Sequence, residues 1–394
     1  MPSPGLPLPE LWDVIVGFVS DRADLKSAAL VCRVFTSPAQ RSLFENIYFD
    51  SVMVEPTPDI AVIEAKAARL AETLRTSPHL LPYIHILLIC VFPGGKACYE
   101  TLAGIPWSQL NHLRIFCTPS PEAWVDLQTL VALPSLRFLE MYSTEECFVD
   151  VLPHCSSSIE KITLKASRNP NQHALSPSSA SQDPIQSPLL VLPVSLPYPR
   201  PKIRELRIGF PHPIPEYMGN MFDFSALETI GWGGCAGPHI LVEFLRKYGA
   251  TVQHIELTAG IDGDQWAAFD LSSYLPSVKL ISSPYNSISS RLNTMLSRMS
   301  SQHRLQRLVL GANRDVSRHE DVKTASDFEE ILLSDRFPQL EGVEFVMDGY
   351  GWTREYTRYT YPTQRSLVQA HRDLFPRLFE KDLLSVWIGQ VKVG

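Results

Sequence analysis

Apolar residues return along most of the chain in one short phrase: apolar, two variable positions, apolar, one variable, apolar. It reads IHILLI at 84–89, LRFLEM at 136–141, IEKITL at 159–164, IRELRI at 203–208 and LETIGW at 227–232. It continues as VQHIEL at 252–257, LQRLVL at 305–310 and LEGVEF at 340–345, with weaker copies LRIFCT from 113 and VKLISS from 278. The second and third apolar positions lie two apart and so share one face of a strand. Start-to-start spacings are 29, 23, 23, 44, 24, 25, 26, 27 and 35 residues, mostly in or near the 20–29 window of leucine-rich repeats. One unit of this kind cannot bury its apolar face alone, whereas stacked units build a parallel sheet over a continuous core.

Between the phrases lie stretches of helical periodicity: HILVEFLRKYG (239–249), with Gly249 placed as a C-cap, SISSRLNTMLSRMSS (287–301) and ASDFEEILLSDRF (325–337). The expected fold is therefore α/β, an irregular leucine-rich-repeat-like solenoid over 81–394. The Asn or Cys that usually follows the third leucine is mostly missing, which predicts irregular turns. The 44-residue gap holds SRNPNQHALSPSSASQDPIQSP (167–188), a Ser/Pro/Gln-rich tract that predicts a disordered insertion across 167–200.

The first 50 residues have a different rhythm. Leu11, Ile15 and Val19 recur at helical spacing with Phe18 beside them. A second helix from an Asp24 N-cap would carry Leu25, Ala28, Val31, Cys32 and Phe35 inward. Ser37, Pro38 and Gln40 read as a capping box with proline at the first helical position, starting a third helix with Leu43 and Phe44. Three short helices make a core small enough to gain from a partner. A linking helix is expected over 51–80.

Charge and cysteine usage narrow the classes. The formal charge of −7 disfavours a nonspecific nucleic-acid binder. The longest apolar run, HLLPYIHILLICVF, is broken by Pro82 and His85, so no membrane span is expected. No basic leader, N-glycosylation acceptor or Cys-x-x-Cys pair is present. The seven cysteines read as reduced, buried thiols of a cytoplasmic or nuclear protein.

PELWDVIVGFV followed by DLKSAALVCRVFTSPAQRSLFENIYF resembles the F-box, above all that of fungal proteins, over about residues 6 to 50. LVCRVF and RSLFENI carry most of the likeness. Pro7-Leu8 stands where Leu-Pro is usual, and Phe35 where Trp is common. The resemblance implies three helices that dock a Skp-type adaptor of a cullin-RING ubiquitin ligase, with a C-terminal region that recruits a substrate protein. Leucine-rich repeats are a frequent companion of that module. Pro9, Leu11, Ile15, Leu25, Val31, Cys32 and Phe35 match its apolar positions, some facing the adaptor and others the module's own core.

In a stacked sheet the residues alternating with the core form an open face. Here they include Phe138, Glu140, Tyr142, Lys161, Lys165, Glu205, Arg207, His254, Glu256 and Arg307, the expected dock for a substrate protein. YGWTREYTRYTYPT (350–363), with Trp352 and Tyr356, reads as part of an end cap over 350–394, as a protein-binding surface, or as a stacking platform for bases. GWGGCAG (231–237), PGGK (93–96) and IDGDQW (261–266) lack phosphate-loop or EF-hand spacing. No nucleophile elbow or zinc motif occurs, so neither catalysis nor a cofactor is expected. The expected function is a substrate receptor; the alternative is a repeat scaffold outside any ligase.

Overall fold

The computed structural model describes residues 9–19, 21–49, 60–91, 95–117, 124–143, 145–166, 199–209, 215–233, 238–257, 278–283, 290–299, 303–311, 322–347, 364–388 and 391–392. The chain divides into two compact units, Met1–Lys202 and Ile203–Gly394.

The first unit opens with three helices, α1 (Pro9–Gly17), α2 (Arg22–Val31) and α3 (Arg33–Phe44). Strands β1 (Asn46–Phe49), β2 (Ile86–Val91), β3 (His112–Cys117), β4 (Phe138–Ser143) and β5 (Lys161–Ala166) follow, each parallel to the next. They are joined through α4 (Ile60–Thr76), α5 (Lys96–Ala103), α6 (Trp124–Val131) and α7 (Glu145–Val151). The second unit runs β6 (Glu205–Gly209), α8 (Pro215–Met221), β7 (Thr229–Trp232), α9 (Pro238–Tyr248), β8 (His254–Leu257), β9 (Leu280–Ser283) and α10 (Ser290–Arg298). It ends with β10 (Arg307–Gly311), α11 (Val322–Leu332), β11 (Gly342–Met347), α12 (Gln364–Leu374), α13 (Pro376–Glu380), β12 (Leu384–Ile388) and β13 (Val391–Lys392). Its strands pair in chain order and in parallel, except that β13 closes antiparallel on β12.

Every phrase lands on a strand, and the burial of its apolar residues explains why. Leu136, Leu139 and Met141, like Ile203, Leu206 and Ile208, are buried under the helical layer, while the residues between them stay partly exposed except Glu140. Two frames differ from the reading of the sequence. The copy read from 113 begins at Leu110: Leu110, Leu113 and Ile115 are the buried set. An earlier copy, FENIYF (44–49), supplies β1, paired in register with β2 from Asn46↔Ile86 to Phe49↔Ile89. The sheet thus starts at Asn46, ahead of the expected boundary near 81. The helix expected to link two domains is the crossover α4 of the first turn.

The described turns are held by backbone and hydroxyl bonds. In most described repeats the carbonyl of the residue after the leading apolar position accepts two N–H groups of the next repeat. Glu45 O takes His85 N and Ile86 N, His85 O takes Asn111 N and His112 N, and Asn111 O takes Arg137 N and Phe138 N. The same pattern recurs at Arg204, Glu228, Gln253, Lys279 and Gln306. Ser135, Ser158 and Thr251 each stand just before a leading apolar residue. Each donates its hydroxyl to the leading carbonyl of the repeat before: Leu110 O (2.8 Å), Leu136 O (2.8 Å) and Leu227 O (2.7 Å). These part-buried bonds give the leading carbonyls a partner between repeats.

The helices overlap the stretches of helical periodicity, α11 starting three residues ahead of its stretch, and α9 passes at Gly249 into a 3-10 turn, Gly249–Thr251. Beyond 364 the expected cap is one further repeat, α12 and β12, followed by the β13 closure. The insertion at 167–200 lies outside the described residues but for its last two. Trp352 and Tyr356 lie outside them too.

Candidate functional site

The helical segment shows how a short sequence divides its apolar residues. Asp21, not Asp24, caps α2, its Oδ1 accepting from Ala23 N (2.7 Å) and Asp24 N (3.0 Å). Asp24 then sits in the first turn, where a negative charge suits the helix dipole. Cys32 adopts an extended conformation (φ −150°, ψ 138°) that separates α2 from α3. For that reason α3 begins at Arg33, five residues ahead of the expected start, and carries Pro38 in its interior. Proline there removes one helical hydrogen bond. The helix tolerates this because Pro38 and Ala39 are buried in the segment's core, and Thr36 Oγ1 donates to Ala29 O (3.0 Å) across the joint.

That core is small: Val16, Leu25 and Ala39, flanked by Val19, Ala28, Ala29, Phe35 and Leu43. Phe35 meets the Trp12 ring edge-on at 4.8 Å. Of the F-box-like positions, Leu25 is core and Phe35 packs against it. Leu11, Ile15, Val31 and Cys32 face solvent. The Pro9 side chain is not among those described. Val31 and Cys32, expected on the inner side of α2, lie outside because the joint turns them away. Among the described residues, seven of the eleven exposed large apolar side chains fall in this segment: Leu11, Val14, Ile15, Phe18, Leu30, Val31 and Val34. Phe18 is 84% exposed and Leu30 88%. The segment is anchored to the first turn of the sheet through Ser37 Oγ and Tyr83 Oη (3.1 Å) and through Arg41 stacked over the Tyr83 ring.

The second candidate is the open face of β3–β5. Parallel register sets three rungs across it: His112, Phe138 and Lys161; Arg114, Glu140 and Thr163; Phe116, Tyr142 and Lys165. His112 stacks on Phe138 (centroids 4.1 Å apart) and Phe116 on Tyr142 (4.3 Å). Between these ring pairs Glu140 is only 8% exposed. Its Oε1 accepts from Tyr142 Oη (2.6 Å); its Oε2 lies 2.8 Å from Arg114 Nε and 3.7 Å from His112 Nε2. Arg114 Nε donates to His112 Nε2 (3.2 Å), so its contact with Glu140 is an ion pair. Burial pushes the Glu140 carboxyl up. Hydrogen bonds from His112 and Tyr142 and the charges of Arg114 and Lys165 outweigh that and hold it down at about 2. Lys165 Nζ lies 5.2 Å over the Tyr142 ring and 3.3 Å from its hydroxyl.

The structure therefore brings Phe138, Glu140, Tyr142, Lys161 and Lys165 together on one face. It adds His112, Arg114 and Phe116, which the sequence reading missed. Their signal was present in the frame Leu110-Asn-His-Leu-Arg-Ile; starting the phrase at 113 hid the three outward positions.

Arg207 belongs to the open face of the second unit. It crosses over β7, pairing with Glu205 Oε1 (3.0 Å) on its own strand and with Glu256 on β8. Its Nε is 3.0 Å from Glu256 Oε2 but too bent for a hydrogen bond, so that contact is an ion pair. Gly231 makes the crossing possible: a Cβ there would lie 2.6 Å from Arg207 Cγ. Gly231 thus belongs to a strand rather than to a loop. His254 Nε2 bonds Ser282 Oγ at 2.8 Å, and Arg307 pairs with Glu344. Burial, joined by the Arg207 charge and opposed by Glu205, moves the His254 pKa below its ordinary value.

No three His, Cys, Asp or Glu among the described residues form a group that could hold a metal. Cys90, Cys98, Cys147 and Cys155 are buried, and Cys32 is exposed. Burial, with the nearby Glu64 charge adding to it, pushes the Cys98 thiol up to about 12, and burial alone raises Cys155. Such thiols are poor nucleophiles and poor metal ligands at neutral pH. Among the described residues no helix is long and apolar enough to cross a membrane. A scan against models of known protein families finds no match, and a search of curated proteins finds no relative.

Proposed function

We propose that this chain is a non-catalytic substrate receptor of the F-box kind. Its N-terminal helices dock a Skp-type adaptor of a cullin-RING ubiquitin ligase, and the open sheet face of the first unit holds the target protein. One observation carries the reading: within residues 11–34, seven large apolar side chains face solvent over a core of three buried residues. Covering an apolar side chain of this size is worth about 1.5–3 kcal/mol, so a helical partner surface has much to gain here. Tethering a target beside a ligase raises its effective concentration, and no reacting group is required of this chain.

The test is co-purification of the intact chain with a Skp-type adaptor, beside a Leu11→Asp/Ile15→Asp variant. Both residues are about half exposed, so the variant should keep its circular dichroism and lose the adaptor. A folded wild-type chain that fails to retain the adaptor overturns the proposal and leaves a repeat scaffold for protein binding.

A further inference from the structure

The open face of β3–β5 carries an excess of oriented positive charge in a chain whose net charge is −7. Glu140 is the carboxylate on these rungs, and it is consumed: both its oxygens are engaged and it is almost fully covered. Arg114 is fixed to it through Nε, while its two Nη groups have no partner among the described residues and its side chain is 41% exposed. Lys165 is held over Tyr142 with no carboxylate within ion-pair distance among the described residues. Two cations are thus positioned in advance, which lowers the entropic cost of binding an anion.

Their spacing selects the kind of anion. Arg114 and Lys165 stand two strands apart and two residues, one rung, out of step along the strand, roughly 10 Å across from strand spacing alone. Glu140 lies on the strand between them. At that backbone spacing successive carboxylates of an extended peptide can each meet one cation. The two ring pairs stand about 13 Å apart along the strands, one on each side of the Arg114 rung, the Phe116–Tyr142 pair sharing its rung with Lys165, and offer flat apolar shelves to the peptide.

We propose that this face binds an acidic, extended segment of a partner protein, with carboxylates at Arg114 and Lys165 and chain packed on the Phe116–Tyr142 and His112–Phe138 rings. The proposal rests on reading this face as the one that takes the target, and it names the target's chemistry.

Three fluorescent decapeptides test it on the full chain: alternating Glu-Gly, alternating Lys-Gly, and Gly-rich with a single phosphoserine. The Glu peptide should bind at low salt at least tenfold more tightly than the other two and weaken as salt rises. Lys165→Gln should lose about fivefold or more of that affinity, and Lys165→Arg should keep most of it. Arg114→Gln serves as a second variant, accepted only if its circular dichroism is unchanged, with the same expected loss. Equal binding of Glu and Lys peptides, undiminished binding by Lys165→Gln, or preference for the phosphoserine peptide each overturns the assignment. Adaptor retention measured on the same preparations separates the two proposals: peptide binding without the adaptor sinks only the ligase reading, and the reverse sinks only this one.

Discussion

The two open sheet faces share one architecture and settle their charges in opposite ways. In the second unit Arg207 lies between Glu205 and Glu256, and Arg307 pairs with Glu344. Each cation there has a carboxylate of its own. In the first unit one buried carboxylate answers Arg114, Tyr142 and His112, and Lys165 rests on a ring. The lesson is that charged residues on a repeat face do not by themselves mark a binding site. A face that closes its own ion pairs is finished; a face whose cations are oriented and left over has affinity to spend.

The comparison can be broken most severely at Gly231. Gly231→Val would place side-chain atoms against Arg207 Cβ and Cγ, expel the arginine and unpair Glu256. The expected loss is about 3 kcal/mol, at the upper end for overpacking, read as a lowered urea midpoint, with no change in acidic-peptide binding if the faces are independent.

Glu140→Gln comes next. It should cost about 2 kcal/mol at pH 7, in the range for hydrogen bonds to a charged group. The loss should fade with acid. Glu140 is held at about 2 against an ordinary value of 4.5, so its contribution is complete above 4.5 and drains as pH falls toward 2. A gap between wild type and variant that persists unchanged at pH 3 contradicts the assignment. His254 acts in another window. Its pKa is lowered in the folded chain from 6.5, so the unfolded state binds the proton more readily and stability declines as pH falls below 6.5. His254→Asn should remove that decline, leaving the Glu140 limb alone.

Ser158→Ala deletes the hydroxyl bond to Leu136 O and should cost about 1 kcal/mol in a denaturant titration. The smallest effect belongs to Arg307→Ala. Arg307 is half exposed in its pair with Glu344, and surface pairs of this kind are worth about 0.5 kcal/mol or less. A loss above 2 kcal/mol there would mean that the second face relies on its pairs far more than their exposure suggests.

The repeats were legible because each needs two side chains on the same strand face, and that requirement writes itself into the spacing. Frames were less legible where neighbouring apolar residues offered a choice, as Leu110 and Leu113 did. FENIYF (44–49) read as the tail of the helices because its phenylalanine also ends α3. The start of α3 was hidden because Pro38 signals a first turn locally, whereas burial of Pro38 and Ala39 is decided by α1 and α2. For the candidate sites, sequence supplied the residue types but not the sorting. Leu25 and Val31 look alike in a helical pattern, and only the Cys32 joint sends one inward and the other out. Lys165 and Arg207 look alike as alternating cations, and only the neighbouring strands show which of them meets a carboxylate.

Because β1 is the sheet's own first strand, the helical segment is seated on a graduated scale. Each turn advances the face by about 4.8 Å, so the cations on β3 and β5 stand two and four graduations from the strand that follows α3. Evolution could recalibrate the distance from the helical segment to these cations by adding or removing a whole turn, in fixed increments, without redesigning either end.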